Sequence, residues 1–156
     1  MKKLLLIALL ITGLSYAQGL QFGDNESTNI SISIEPVASI NTTLEFEYIC
    51  YFLYIKPSLQ LSPSNNYTDT SVGLGLNLTS GYFEDWRYYG GIRLGHIFRE
   101  NQNYPLFGWE AGIDKRITEK LYIGLRSTLD WREDYLYSGA NPKYKFNGSI
   151  RLTYKL

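Results

Sequence analysis

Apolar and polar residues alternate with period two along most of this chain. At the end, Tyr144, Phe146, Gly148, Ile150, Leu152, Tyr154 and Leu156 fall on one face, and Lys145, Asn147, Ser149, Arg151, Thr153 and Lys155 on the other. Successive side chains of a strand point to opposite sides, so the pattern marks an amphipathic β-strand. Seven earlier segments repeat it, with apolar positions at Ile30–Ile34, Leu44–Tyr48, Leu53–Leu61, Val72–Leu78, Trp86–Phe98, Phe107–Ile113 and Leu121–Trp131. Several approach the roughly 9–11 residues that a tilted transmembrane strand needs. No stretch reads as a long amphipathic helix.

The connections carry turn chemistry. Segments 62–69, 100–105 and 133–142 are polar and hold Pro or Asn, whereas 80–85 and 115–120 are short. With the C-terminus in the periplasm, the first group, which holds the two longest segments, falls outside the cell and the short pair inside, the asymmetry of outer-membrane barrels. Two places resist this reading. Residues 48–55 hold no turn residue, yet the apolar parity switches there from even to odd positions. A reversal near Cys50 and Phe52 and a bulged continuous strand explain the switch equally well. Pro36 interrupts the first strand.

The N-terminus changes the picture from a β-domain to an exported one. Lys2 and Lys3 precede an apolar stretch at 4–11, too short to span a bilayer as a helix, and Ser15-Tyr16-Ala17 offers small residues at a cleavage site. The expected organisation is a signal peptide at 1–17, an N-terminal leader at 18–27 and one β-barrel domain at 28–156. Acidic and basic residues balance at 15 each, and losing Lys2 and Lys3 tips the balance slightly acidic, so nucleic acid is not an expected partner. Cys50 is the single cysteine, which excludes an intrachain disulfide or a cysteine metal cluster. With no apolar run of helical span length after the signal, membrane insertion requires a closed barrel.

The alternation fits two barrels of opposite polarity: a membrane barrel with its apolar face in lipid, or a soluble periplasmic lipocalin-like barrel with its apolar face around an apolar ligand. Three features favour the membrane. Trp86, Trp109 and Trp131 lie on the apolar face near the expected strand ends and, with Tyr154, read as aromatic girdles. Glycines such as Gly73, Gly91, Gly108, Gly112 and Gly124 sit among the polar positions, where small residues let long ones pack in a narrow lumen. The polar face carries both signs of charge. Taking 100–105 as a hairpin centre puts Arg93 near Gly112, flanked by Glu110 and Asp114, and the 115–120 turn puts Glu110 opposite Arg126. We therefore expect a lumenal ion network of Arg93, Glu110, Asp114 and Arg126, with Asp130, Arg151 and Lys145 nearby, because buried charges persist only when paired. Glu45 and Glu47 should also point inward.

The export signal, the eight alternating segments and the ending Ile150-x-Leu152-x-Tyr154-x-Leu156 resemble small Gram-negative outer-membrane barrels, of the type of the transmembrane domain of outer membrane protein A and of outer membrane protein X. The resemblance implies an all-β, eight-stranded, up-and-down antiparallel transmembrane β-barrel in the cell outer membrane. Its implied partners are outer-membrane lipid, the barrel-assembly machinery and an extracellular partner met through the loops. Such proteins usually end in Phe or Trp, where this chain ends in Leu156. Some barrels of this size modify lipid A, using His-x-Ser with a Glu, or a loop His. Here the one histidine, His96, lies on the apolar face and is followed by Ile97-Phe98. No catalytic residue, metal site or cofactor is expected. The expected role is structural or surface-interacting rather than that of a wide pore.

Overall fold

The computed structural model describes residues 20–21, 26–36, 41–80, 85–134 and 144–156. The strands are β1 (Leu20–Gln21), β2 (Glu26–Glu35), β3 (Asn41–Cys50), β4 (Leu53–Ser62), β5 (Tyr67–Ser80), β6 (Trp86–Arg99), β7 (Gln102–Arg116), β8 (Leu121–Arg132) and β9 (Tyr144–Lys155). From β2 to β9 each strand pairs antiparallel with the next, and β9 pairs with β2, so eight strands close an up-and-down barrel. Closure removes the sheet edges that would leave backbone groups unpaired in lipid. β1 lies outside the eight. It pairs Leu20 with Ser80 and Gln21 with Thr79, beside the stretch of β5 that runs past its last partner in β4. Glu26 and Ser27, inside the segment read as a leader, already pair with Cys50 and Ile49. The signal segment 1–17 lies outside the described residues.

The strands are staggered. Ile34, next to the last residue of β2, leads through its partners Ile150, Leu125 and Ile113 to Tyr88, near the start of β6. That slant is the shear a closed barrel requires. We call the end carrying Leu156, the Tyr51–Phe52 turn and residues 117–120 the lower rim, and the end carrying Asn66 and Glu100 the upper rim.

Residues 48–55 contain a turn and not a bulge. Cys50 pairs with Leu53, and Tyr51 and Phe52 alone make the reversal. Tyr51 takes φ 56°, the left-handed region that hairpin turns of two residues need and that Gly or Asn usually supplies. The upper connections are shorter than expected. β6 and β7 are joined by Glu100–Asn101, with φ 51° and 63°, and Gln102 to Pro105 belong to β7. The β4–β5 connection is a short 3-10 turn, Pro63–Asn65, followed by Asn66 at φ 49°. Among the described connections the expected length asymmetry between the two rims is therefore absent, since 117–120 at the lower rim outruns Glu100–Asn101 at the upper. Most of 133–142 lies outside the described residues.

The parity of every strand separates two walls. On the outer wall Leu125 is 61% exposed, Phe146 70%, Trp109 58% and Leu44 53%. The inward positions of the same strands are almost all buried and mostly polar or charged. Pro57 in β4 lacks an amide hydrogen, and the β3–β4 ladder skips the pairs beside it, between Glu45–Ser58 and Tyr48–Ile55.

Candidate functional site

The barrel interior holds the concentrated chemistry of this chain. Inward alternation brings Glu45 and Glu47 from β3, Lys56 from β4, Arg87 from β6, Glu110 and Asp114 from β7, Arg126 from β8 and Arg151 from β9 into one buried cluster. Arg151 is its centre. Its Nε donates to Glu45 Oε2 at 2.8 Å, Nη1 to Asp114 Oδ2 at 2.8 Å, and Nη2 to Ser31 Oγ at 2.8 Å and Glu47 Oε2 at 3.4 Å. Arg126 lies 3.0 Å from Glu45 Oε1 and 3.1 Å from Glu110 Oε2. Lys56 Nζ lies 2.9 Å from Glu110 Oε2. Arg87 reaches Glu47 at 2.6 Å and Asp114 at 3.4 Å, and its Nε donates to Asn77 Oδ1. Each carboxylate thus meets two or more cations. Such sharing offsets the loss of hydration that an isolated buried charge would suffer.

Aromatic rings hold this cluster in shape. Tyr89 carries Lys56 Nζ 4.5 Å from its ring centroid and the Arg87 and Arg151 guanidinium groups at 5.0 Å each. Tyr54 stands edge-on to Tyr89 at 5.9 Å and donates its hydroxyl to Glu110 Oε1 at 2.8 Å. The inward glycines make the room. A Cβ at Gly112 would overlap the Tyr89 ring, and one at Gly73 would overlap the Glu110 carboxylate.

A second group lies nearer the upper rim. Arg93 Nη1 donates to both Asp130 oxygens, at 2.9 and 2.8 Å, and Nη2 donates to Ser71 Oγ at 2.9 Å and reaches Asp69 at 3.5 Å. Above it, Asp134 pairs with Arg132 at 3.0 Å and Arg99 at 3.3 Å. The Arg132 guanidinium lies 4.1 Å from the Tyr67 ring centroid, and Lys145 Nζ lies 5.8 Å from it.

All six residues expected in the network, Arg93, Glu110, Asp114, Arg126, Asp130 and Arg151, point inward and are buried. Their arrangement differs from the expected one. The β6–β7 turn centres on Glu100–Asn101, so Arg93 faces Gly108 instead of Gly112. Arg126 faces Gly112, and Glu110 faces Thr128, so the Arg126–Glu110 pair is diagonal. By direct contact the six divide into a central cluster and the Arg93–Asp130 pair. The expected network lacks Lys56, Arg87 and Asp69, and the sequence sets Glu45 and Glu47 inward without naming their partners. Their parity was the available signal. Their partners lie across the lumen or diagonally, beyond any neighbouring-strand alignment.

The aromatic girdle also needs correction. Trp86 opens β6 at the lower rim, Tyr154 lies near the lower end of β9, and Trp131 lies near the upper end of β8. Trp109 sits at the middle of β7, because that strand runs from Gln102 to Arg116. It packs edge-on to Phe107 at 6.4 Å among its row partners Ile92 and Leu129. Alternation also concealed two buried apolar groups on the inward side. Tyr67, Ile97, Tyr104 and Leu106 cluster toward the upper rim, and Ile49 packs with Tyr54 and Tyr89 toward the lower. His96 is exposed on the outer wall beside Thr70 and Pro105. Among the described residues no group of three or more His, Cys, Asp or Glu could hold a metal ion.

No protein-family model matches the chain, and no curated protein matches it. Solved structures do. A structure from the de novo design of transmembrane β-barrels aligns with a TM-score of 0.59 at 14% identity, covering 84% of this chain and 94% of that one. The crystal structure of Neisserial surface protein A aligns with a TM-score of 0.55 at 10% identity, with the same two coverages. Together with the closed register and the apolar outer wall, these likenesses show that the chain has the fold of small eight-stranded transmembrane β-barrels.

Proposed function

We propose that this protein is a small outer-membrane β-barrel that serves the envelope structurally or through its exposed upper rim, and that its lumen is closed by its own side chains. The observation that carries the reading is the reversed polarity of the two walls: apolar side chains outside, and buried, mutually paired charges inside. In water that arrangement would expose the outer belt and bury the costliest groups. In lipid both choices are favourable. A soluble ligand-binding barrel would need an apolar interior, whereas the middle of this interior is charged.

The closed lumen is supported by the central cluster, by Ile49, Tyr54 and Tyr89 packed against it, and by the apolar group toward the upper rim. An eight-stranded barrel leaves space that side chains alone can fill. The partners expected of this reading are outer-membrane lipid, the barrel-assembly machinery and an extracellular molecule at the upper rim. We assign no catalytic role, since His96 faces outward between Thr70 and Pro105, away from the lumenal charges. Membrane fractionation and a gel of boiled and unboiled samples test the placement. The protein should fractionate with outer membranes and migrate differently when unboiled. Recovery in the soluble periplasm with no shift on boiling would overturn it. Steady single-channel conductance of the purified protein in planar bilayers would overturn the closed lumen.

A further inference from the structure

We propose that the barrel axis is inclined to the membrane normal, with the β3–β4 hairpin sunk into the lower leaflet and the Tyr51–Phe52 turn held in the boundary between acyl chains and headgroups. This rests on the transmembrane reading and adds an orientation to it.

The apolar belt is not level. At the lower rim the β3–β4 turn is aromatic, and Tyr51, Phe52 and Leu53 are 55%, 42% and 50% exposed. They continue the outward surface of Tyr48 and Ile55 along the hairpin, with the exposed Glu26 at its edge, paired in register with Cys50. Four strands round the ring, on the opposite side, the β7–β8 connection 117–120 contains Thr118, Glu119 and Lys120, with Ile117 its one apolar side chain. Beside it Arg116 forms an exposed ion pair with Asp85 at 2.9 Å, and Lys115 and Lys120 lie over the rings of Trp86 and Tyr154. Charged and ring-capping residues of this kind mark the water side of a membrane interface.

The upper rim shows the inverse. On the β3–β5 side its outward positions are Thr42, Thr68 and Thr70, and Leu61 stands between Thr42 and Thr68 in register. On the β8–β9 side the outward positions are Trp131, Tyr144 and Phe146, whereas β7 ends on outward Asn103 and Pro105 above Phe107. The belt is therefore low on one side and high on the other. A flat bilayer can match a slanted belt only if the barrel tilts, because each large apolar group left in water, or charge drawn into lipid, is unfavourable.

The backbone of the turn supplies a separate observation. Tyr51 occupies φ 56°, where a residue with a side chain costs about 1 kcal/mol and glycine costs little. An aromatic side chain kept at a position that disfavours it points to use of that side chain. Tyr, with an apolar ring and a polar tip, is suited to the interface.

The test places single nitroxide labels on the full-length protein in phospholipid bilayers, in a Cys50→Ser background. The positions are Phe52→Cys, Glu119→Cys and, at mid-belt, Leu125→Cys. Collision with oxygen and with a water-soluble nickel chelate reports depth. The label at 52 should be shielded from nickel and reached by oxygen, while the label at 119 should be freely reached by nickel. Equal nickel access at 52 and 119 would overturn the inclination. Nickel access at 125 as well would overturn the transmembrane reading itself, so the two failures are distinguishable.

Discussion

Two adjacent rows of the barrel wall carry opposite demands. Ile92, Trp109, Leu129 and Phe146 are register partners across β6 to β9, and all face outward. One residue along, Arg93, Gly108, Asp130 and Lys145 are register partners facing inward. The outer row meets lipid, a solvent that asks only that a side chain be apolar. The inner row meets other side chains at fixed distances, and each must match its neighbours in size and charge. Gly108 is small because a Cβ there would overlap Asp130, and Asp130 is placed to accept two bonds from Arg93. The outer wall is specified by class of residue, the inner wall by individual residues.

Breaking the centre of the inner wall should have the largest effect. Arg151→Ala leaves Glu45, Glu47 and Asp114 buried without their shared cation, and should lower stability by about 3–5 kcal/mol, the usual consequence of removing one partner from a buried pair. The midpoint of urea unfolding in lipid vesicles measures it. An unchanged midpoint would mean that the cluster is hydrated and its pairing incidental. Arg93→Leu, which removes the cation bound to Asp130, leaves it the Thr128 hydroxyl at 3.2 Å and weakens the hold on Asp69, should act in the same direction and less strongly.

The outer wall should fail in the opposite way. Leu125→Arg, at the middle of the belt, should destabilise by about 2–4 kcal/mol, as charges do at the bilayer midplane of such barrels. Leu125→Val should be nearly silent, and this contrast in the same unfolding experiment separates choice of class from choice of residue. A loss with Val as large as with Arg would erase the distinction between the walls.

The smallest effect concerns volume. Gly112→Ala places a methyl group against the Tyr89 ring and should cost about 1–3 kcal/mol by overpacking. Gly148→Ala, on the outer wall with nothing within 4 Å of its Cβ, should leave the midpoint in place. Equal effects at the two glycines would show that the interior tolerates rearrangement.

Much of the fold was legible because a strand has a period of two and a barrel has two faces. Alternation with turn chemistry located the barrel strands, leaving open the division at 48–55, and assigned Arg93, Glu110, Asp114, Arg126, Asp130 and Arg151 to one side of the wall. It also concealed things. Tyr54, Tyr67, Tyr89 and Ile97 are buried inward, although apolar character elsewhere marks the lipid side. Register was the least legible quantity. A two-residue turn at Glu100–Asn101, where polar composition suggested a loop extending to Pro105, moves every partner of β6 along β7. The same extension of β7 puts Trp109 at mid-wall. The Tyr51–Phe52 reversal carries no turn residue, and the parity switch, its one trace in the sequence, fits a bulge equally well.

The sequence by itself determined that the chain alternates, that it can close a barrel with no long helix, and which side chains share a face. These follow from local geometry, since the direction of each side chain depends only on its position along a strand. Tertiary structure alone decided which charges meet. Arg151 of β9 joins Glu45 and Glu47 of β3 and Asp114 of β7, strands that are not its neighbours in the sheet. That meeting requires the sheet to close and its opposite walls to approach across the lumen. Strand stagger then sets the heights at which the charges lie, and no pattern along a single strand encodes that stagger.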